Sequence, residues 1–468
     1  MGLSETPRIM HYRTALAAAG LLILSFFTVK AQDPDSSLIR KIYNQSLENG
    51  KSYEWLRHLS LNIGGRLSGS PQAQQAVEYT KNLLETLKAD TVYLQEVMVP
   101  HWVRNDREEL NMYVGGKKTP LRVCALGGSV ATPKKGVKAQ VVEIRSYEEL
   151  DKLGEAGLKG KIVFYNTPMD QKHIVTFHAY GQCGTYRYSG PKNAAKYGAV
   201  GSITRSLTLS LDDEPHTGAM GYDENYPKIP CVAISTIGAD KLSAAIKENP
   251  GTEVELFLNC ETLPDAKSYN VIAEIRGSKK PEEIVMVCGH LDSWDNGQGA
   301  HDDGAGCVQS MEVIKFFRDL GIKPKRTVRV VLFMNEENGL RGGKKYAEVA
   351  KEKGENHIAA IESDAGGFTP HGFSSEGKES SKRKLKSWIG LFEPYGLFSW
   401  DENGGGADIG PLRDQGTFLI GLEPDSQRYF DYHHTAIDTF DKVNRRELQL
   451  GSAAMASLVY LLSEYGVE

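Results

Sequence analysis

Four separate stretches of the sequence place a histidine or a carboxylate directly after a predicted buried strand. The strand predictions rest on short apolar runs with the length and valine content of parallel strands. The residues that follow these runs are His290, Asp292, Asp302, Asp303, Glu336, Glu337, Asp364, His433 and His434. In open α/β sheets the carboxyl ends of the strands lie at one edge, where ligands bind. We therefore expect these side chains to meet in one site.

This mixture of imidazole and carboxylate groups is what a divalent metal requires. Zinc binds neutral imidazole nitrogen and carboxylate oxygen, and a catalytic zinc keeps one position for water. Two metals about 3.5–4 Å apart need a shared carboxylate between them. The sequence supplies one histidine and one acid for each of two metals, with one aspartate left to bridge. Without cations, so many clustered carboxylates would repel one another by several kcal/mol, and the cluster therefore predicts bound metal.

Each of these residues also has a structural interpretation when it is taken alone. His290 could be a hydrogen-bonded core histidine, and Asp302–Asp303 could be a helix N-cap followed by a first-turn acid. Glu336–Glu337 could be the solvated start of a helix, and Asp364 could cap a turn. Their joint occurrence at predicted strand ends favours the metal centre.

The elements that must hold these residues alternate between strand and helix from about residue 270 onward. Apolar runs predict strands at 270–276, 283–288, 326–334, 358–363 and 418–422. Helical spacing of apolar residues predicts helices at 305–320, 340–353, 380–392 and 445–465. This alternation predicts an α/β fold in which a mostly parallel, mixed sheet lies between helices.

The pattern between residues 116 and 263 is different, with short strands and few long helices. Strands are predicted at 137–144, 161–165, 200–204, 232–234 and 254–258. This region is predicted to be a smaller β-rich domain inserted between two parts of the main domain, 32–115 and 264–468. It is either a passive module or a lid on the site. In the second case, a loop containing His216, Gly218 and Tyr222 could reach the metals.

Composition and charge limit the classes of partner. The chain has 468 residues, enough for two domains, and 40% of them are hydrophobic, as in ordinary globular proteins. The formal net charge of −5 gives no support for a nucleic-acid partner. Six cysteines would permit disulfides in an exported chain. Cys288 and Cys307, however, lie in strand and helix patterns beside His290 and are predicted to be buried free thiols.

The N-terminus carries the pattern of a signal peptide, predicted over residues 1–31. Arg8, His11 and Arg13 precede an apolar run at 15–29, and small or apolar residues then supply a cleavage site before Gln32. The run is too short for a comfortable membrane span. We therefore expect a soluble, secreted protein, extracellular or periplasmic, with no membrane span.

Five ordered motifs resemble those of the co-catalytic di-zinc exopeptidase family. They are Gly-His-Leu-Asp-Ser at 289–293, Asp-Asp-Gly-Ala-Gly at 302–306, Asn-Glu-Glu-Asn-Gly-Leu-Arg-Gly at 335–342, Ser-Asp at 363–364 and His-Thr-Ala-Ile-Asp-Thr at 434–439. The resemblance extends from about residue 63 to the C-terminus. Within it, the inserted region resembles a protease-associated domain. The resemblance implies a zinc exopeptidase-like fold and a hydrolase of dipeptides or short peptides.

The resemblance also implies a role for each site residue. His290 and Asp364 would bind one Zn²⁺, Glu337 and His434 would bind the other, and Asp302 would bridge the two ions.

Further roles follow from the same resemblance. Glu336 would be the general base. Asp292 would orient His290 as a hydrogen-bond acceptor, and Asp303, joined to Asp302 by a cis peptide bond, would support the ligands.

The group that stabilises the oxyanion is not settled by the resemblance. Several relatives have a tyrosine directly before the last histidine ligand, whereas here that position is His433 and Tyr432 comes one residue earlier. The resemblance further implies a homodimer. Three alternatives stay open: an aminopeptidase of broader length tolerance, a single-zinc glutaminyl cyclase, and an inactive receptor-like binding module.

Overall fold

The computed structural model of this chain describes residues 1–2 and 33–468. The predicted signal peptide, residues 1–31, lies outside the described residues apart from its first two positions. The first described helix begins at Pro34, where the side chain of Asp33 accepts a hydrogen bond from the Asp35 backbone N–H at 3.1 Å. Across residues 33–468, no helix is both long enough and apolar enough to cross a membrane.

Helices and strands alternate along most of the described chain. The α-helices are, in chain order, α1 (Pro34–Asn49), α2 (Ser52–His58), α3 (Pro71–Thr86), α4 (Tyr147–Leu158), α5 (Thr176–Tyr188), α6 (Gly190–Lys196), α7 (Thr236–Glu248), α8 (Ala305–Asp319), α9 (Arg341–Lys353), α10 (Glu379–Lys386), α11 (Ile389–Phe392), α12 (Tyr429–Tyr432) and α13 (Arg445–Tyr465). The strands are β1 (Thr91–Val103), β2 (Glu108–Val114), β3 (Lys117–Leu121), β4 (Val123–Ala125), β5 (Val137–Ile144), β6 (Ile162–Tyr165), β7 (Gly201–Arg205), β8 (Cys231–Ile234), β9 (Glu253–Leu258), β10 (Glu261–Ile275), β11 (Lys280–His290), β12 (Arg326–Phe333), β13 (Asn356–Glu362), β14 (Pro370–Glu376) and β15 (Phe418–Pro424).

One sheet has seven strands in the order β1-β10-β12-β11-β13-β15-β14. Its four central strands, β12, β11, β13 and β15, run parallel, and the strands on either side pair antiparallel. In the parallel register His290 lies beside Phe333, and Cys288 lies beside Glu362. The carboxyl ends of the central strands therefore meet at one edge, as predicted.

The central strand β11 is buried on both faces, which explains its continuous apolar run. Val285 and Val287 pack in the core shared with helices α1, α8 and α13. Met286 and Cys288 point to the opposite face, where Tyr346 of α9 packs. The seven-stranded sheet thus lies between helices, and the predicted mixed α/β fold is confirmed.

The second sheet has eight strands in the order β3-β2-β9-β5-β6-β7-β8-β4, all from residues 108–258. β5 to β8 run parallel, and the other pairings are antiparallel. The same stretch contributes helices α4 to α7, which is more helix than the predicted pattern of short strands with few long helices. Because β2 pairs with β3 and β9, this sheet begins before the predicted boundary at residue 116.

One predicted helix is interrupted, and the cysteines lie as expected. The helix expected over 380–392 is two helices, α10 and α11, separated where Trp388 turns into the core with 6% of its surface exposed. The six cysteines all lie in the described part of the chain. They are buried and free, as predicted for Cys288 and Cys307.

Candidate active site

His290 is held in position because the end of β11 packs closely against the start of α8. β11 ends at His290, and a Cβ on the preceding Gly289 would lie 2.4 Å from the Asp303 carboxylate. Asp303 Oδ2 accepts a hydrogen bond from the His290 backbone N–H at 3.0 Å, and its Oδ1 accepts one from Gly306 at 2.8 Å. Asp303 therefore ties the end of β11 to the first turn of α8. The Asp302–Asp303 peptide bond is cis, as expected.

One half of the candidate metal centre lies over the central strands. His290 Nε2 is 3.2 Å from Asp302 Oδ1 and 3.3 Å from Asp364 Oδ1. We call these three groups the first half-site.

The other half lies against the second oxygen of the same aspartate. His434 Nε2 is 3.2 Å from Asp302 Oδ2 and 3.1 Å from Glu337 Oε2. We call His434, Glu337 and this oxygen the second half-site. Ligand atoms about 2.0–2.1 Å from a tetrahedral zinc are roughly 3.3 Å apart, which matches the separations in both half-sites.

Unpaired oxygens support the interpretation as a metal centre. Glu337 Oε1 is buried and has no hydrogen-bond partner among the described residues. Asp302 Oδ2 and Asp364 Oδ1 are also buried and make no well-oriented hydrogen bond, although each lies near a histidine nitrogen of its own half-site. Such atoms are rare in native proteins unless an ion or water satisfies them. The donor set of imidazole and carboxylate suits zinc, so the residues fit the metal that the motifs predicted.

The electrostatics of the second half-site point the same way. Burial opposes a charge on His434, but Glu337 and Asp302 raise the pKa of this imidazole to about 10. Burial, together with Asp302, raises the pKa of Glu337 to about 7. Carboxylates and an imidazole packed this closely require positive charge between them, which a divalent cation would supply.

Asp292 contacts His290 through its main chain and the loop of the two glutamates through its side chain. The His290 Nδ1 atom is 3.0 Å from the Asp292 main-chain oxygen and 4.0 Å from the Asp292 carboxylate. That carboxylate instead accepts hydrogen bonds from the backbone N–H groups of Asn335 at 2.7 Å and Glu336 at 3.1 Å. The main chain of Asp292 therefore orients His290, and its side chain fixes the loop that carries the two glutamates.

His434 is oriented by the chain of the second sheet. The Thr217 backbone N–H donates to the His434 carbonyl at 2.9 Å, and His434 Nδ1 lies 3.2 Å from the Thr217 carbonyl. The loop that contains His216 and Gly218 therefore does reach the centre, through its main chain. Tyr222 does not reach it, because its hydroxyl donates to the Ile229 carbonyl at 2.6 Å within the second sheet.

Glu336 lies on the wall of a cavity of about 360 Å³ beside both half-sites. Burial raises the pKa of Glu336 well above its usual range; nearby His290 opposes this, and Asp364 and Glu337 add to it. A carboxyl group whose pKa is raised by burial is suited to general acid–base work.

The two residues before His434 have different surroundings. Tyr432 stacks on His301, with ring centroids 5.5 Å apart, and does not line the cavity. His433 does line it: its ring stacks on that of His434 at 3.5 Å, and its Nε2 is 3.7 Å from Asp302 Oδ2. Burial and the neighbouring His434 lower the pKa of His433 well below its usual range, so its imidazole is neutral.

Three residues at the site were not predicted from the sequence. Asp438 accepts hydrogen bonds from the backbone N–H groups of His301 at 2.8 Å and Asp302 at 3.2 Å. It belongs to the motif at 434–439, so its place in that motif was the available signal. Tyr429 and Arg187 line the cavity, and no local sequence pattern marks either of them.

Comparisons with known proteins match these motifs. A model described as "Peptidase family M28" matches residues 270–459, which contain both half-sites. Carboxypeptidase Q from Xenopus laevis is 37% identical over 92% of this chain and 90% of that protein. Aminopeptidase YwaD from Bacillus subtilis is 25% identical over 87% of this chain and 84% of that protein. A crystal structure of a peptidase M28 precursor from Shewanella amazonensis covers 92% of this chain and 96% of that one, with 35% identity and a TM-score of 0.87. The resemblance predicted from the motifs is confirmed.

Proposed function

This chain belongs to peptidase family M28 as a metallo-exopeptidase, and we propose that it uses two zinc ions to hydrolyse dipeptides or short peptides outside the cell. One observation carries the two-metal proposal. The two oxygens of Asp302 face two different histidine–acid pairs, each at the spacing of ligands around one ion. This intact set also argues against the receptor-like alternative.

In this proposal each half-site holds one ion. His290 and Asp364 would bind the first, Glu337 and His434 the second, and Asp302 both. When bound, the ions lower the pKa of water toward ~7 and supply Lewis acidity for the scissile carbonyl.

Proton transfer is assigned to Glu336. Its carboxylate takes the proton of the attacking water and returns it to the leaving amine. Asp292 holds the backbone of Glu336 in place, so the carboxylate is positioned before substrate arrives.

His433 and Tyr429 are proposed to stabilise the developing oxyanion. Both line the cavity. Burial and nearby acids, Asp302 first among them, raise the pKa of Tyr429 well above its usual range, so its hydroxyl keeps a proton to donate. Such preorganised donors act most strongly in a site that excludes water.

We also propose that the second sheet and its helices form an inserted domain that shapes the substrate pocket. Support comes from α5, whose residues Phe177, Tyr180 and Arg187 line the cavity together with Glu336. Phe177 stacks on Tyr429 with ring centroids 5.2 Å apart, which packs α5 onto the site. A pocket closed on two sides favours short peptides over folded protein.

The test of the proposed function combines metal content with a peptide panel. Free dipeptides, N-blocked dipeptides and C-amidated dipeptides are assayed with and without a chelator, and zinc is measured by elemental analysis. We expect two zinc ions per chain and chelator-sensitive hydrolysis. A single ion would instead indicate the glutaminyl cyclase alternative, and hydrolysis of long peptides from the amino end would indicate the broader aminopeptidase.

Glu336→Gln tests the general base. We expect both zinc ions to stay and turnover to fall about 10²–10⁴-fold, the usual contribution of a positioned acid–base group. Glu348→Gln, an exposed change on α9, is the matched control. Unchanged turnover in Glu336→Gln with unchanged zinc would refute the assignment.

Export and a homodimer are part of the same proposal. Export rests on the pattern at residues 1–31, and the homodimer rests on the resemblance. Secreted protein should begin near Gln32 by N-terminal sequencing, and light scattering should give twice the mass of one chain.

A further inference from the structure

Arg187 lies on helix α5, which comes from the same stretch of chain as the second sheet, and places a positive charge at the wall of the active-site cavity. Its Nη2 donates to the Tyr180 hydroxyl at 2.7 Å, and its Nη1 is 3.4 Å from His434 Nδ1. Its Nε atom is buried and has no hydrogen-bond partner among the described residues. The guanidinium therefore lies beside the second half-site, and its contacts with Tyr180 and His434 do not neutralise its charge.

The tautomer of His434 removes one apparent partner of Arg187. His434 Nε2 faces Asp302 and Glu337 in the second half-site. The other ring nitrogen, Nδ1, lies 3.2 Å from the Thr217 carbonyl, which can only accept, so Nδ1 carries a proton. A protonated nitrogen cannot accept from Arg187. The Tyr180 hydroxyl is thus the remaining acceptor within hydrogen-bond distance in the described part of the chain.

Arg187 also lacks a counter-charge of its own. Among residues 33–468, no carboxylate oxygen lies within 4.0 Å of its guanidinium nitrogens; other arginines near the site, such as Arg104 with Asp295 at 2.7 Å, are paired. A partly buried guanidinium without an anion is unfavourable. Its planar fork matches the geometry of a carboxylate, which it binds through two parallel hydrogen bonds.

The position of the guanidinium is fixed by its surroundings. Gly218 has a φ of +143°, and a Cβ there would lie 2.5–2.6 Å from the Arg187 guanidinium atoms. The Tyr180 hydroxyl holds the other side. A donor fixed before binding loses little conformational freedom when the ligand arrives.

We infer that Arg187 binds the free C-terminal carboxylate of the peptide substrate and is a specificity-determining residue. This inference rests on the proposed function and adds a direction to it: the C-terminal residue lies at the second half-site, beside His434. The enzyme would then read the carboxyl end of its substrate and discriminate against amidated peptides.

The test compares kcat/KM for a free dipeptide and for its C-terminal amide in wild type, Arg187→Gln and Arg187→Lys. Lys344→Gln is the matched control, because Lys344 is another cation on the same cavity wall. We expect Arg187→Gln to lower kcat/KM for the free acid about 100-fold, mainly through KM, as expected for the loss of charged hydrogen bonds. The amide should be unaffected, so the preference for the free acid disappears. Arg187→Lys should restore part of that preference, and Lys344→Gln should keep it.

A binding measurement without turnover completes the test. Calorimetric titration of a free dipeptide into the Glu336→Gln variant should show binding. The double variant that also carries Arg187→Gln should show none. Zinc content should stay at the wild-type value.

Three results would overturn the inference. They are an unchanged preference for the free acid in Arg187→Gln, a loss of zinc in that variant, and a loss confined to peptides with acidic side chains. In the first case chelator-sensitive hydrolysis would persist, so the proposed function would stand while the role of Arg187 failed. If no variant, wild type included, hydrolyses any peptide with two zinc ions bound, the proposed function fails as well.

Discussion

The two half-sites use the same ligand types but are held by different parts of the molecule. In the first, His290 is the last residue of β11 and Asp364 lies two residues after the end of β13. In the second, Glu337 follows β12, but His434 lies in a loop after the short helix α12 and has a φ of +64°. The first half-site is thus part of the seven-stranded sheet, whereas the second needs a loop to be held in place.

The source of that support is the main lesson of the comparison. His290 is oriented by the carbonyl of Asp292, which lies two residues further along the same chain segment. His434 is oriented by the Thr217 carbonyl, from a loop between β7 and β8. The second half-site therefore depends on the docking of the second sheet, and the first does not.

Removing the shared ligand should have the largest effect, because it affects both half-sites at once. Asp302→Asn puts a neutral amide in place of the carboxylate whose two oxygens face the two half-sites. We expect zinc content to fall at both positions and kcat/KM to fall at least about 10³-fold, since each ion contributes several kcal/mol to the transition state. Elemental analysis and steady-state kinetics measure this. Full retention of two zinc ions would show that Asp302 does not bridge.

Removing one histidine at a time should separate the halves. His290→Ala and His434→Ala should each bind one zinc per chain and lose about 10²-fold or more in kcat, because one Lewis acid is gone. Spectra of Co²⁺-substituted protein would show a different remaining site in each variant. If either substitution released both ions, the half-sites would be a single cooperative unit instead.

A change in the second sheet should affect the second half-site alone. In Gly218→Ala, the new Cβ would meet the Arg187 guanidinium at 2.5 Å, and the φ of +143° would strain any residue other than glycine, so we expect the Thr217 loop to shift relative to His434. We expect the weaker zinc step of a titration to lose about 10–100-fold in affinity, the usual effect of disturbing a group that orients a ligand. Gly390→Ala, with nothing within 4 Å of the new Cβ, is the control. If both zinc-binding steps lost affinity equally, the second half-site would not be the only one that depends on the second sheet.

A titratable group far from both half-sites should change stability without changing zinc. His357 lies near the amino end of β13, where burial, with Arg329 adding to it, lowers its pKa to about 4. An unfolded histidine titrates at about 6.5. Below that pH the unfolded chain binds the extra proton, so stability is lost as pH falls from about 6.5 to about 4.

Urea unfolding of His357→Gln measures this smallest effect. As pH falls from about 6.5 to about 4, the free energy of unfolding of this variant should decrease less steeply than that of wild type. The two slopes should differ by up to about 1.4 kcal/mol per pH unit. Zinc content at neutral pH should match wild type. An identical pH dependence in the two proteins would mean that His357 is not held neutral.

Much of the first half-site could be predicted from the sequence, because its cause is local. A continuous apolar run predicts a strand buried on both faces, and a parallel strand delivers the residue after it to the ligand-binding edge. That logic predicted the positions of His290 and Asp364. It also predicted the helices α8 and α13 that cover the sheet.

The remaining features depend on contacts between distant segments. Arg187 reaches the site only because α5 packs against α12, and no periodicity in the sequence encodes that contact. The loop that contains His216 and Gly218 was expected to be able to reach the metals, but the main-chain contact of Thr217 with His434 was not predicted. Tyr429 faces the cavity and Tyr432 does not, because the short turn of α12 decides which tyrosine points inward. The resemblance implied that Asp292 is an acceptor for His290, but it did not indicate that the main-chain oxygen makes the contact with the imidazole.

Anomalous X-ray scattering at the zinc edge, from crystals of the purified protein, tests the two-ion centre most directly. The account predicts two peaks on either side of the Asp302 carboxylate, one bound by His290 and Asp364 and the other by Glu337 and His434. A single peak, or peaks bound by other residues, would contradict it.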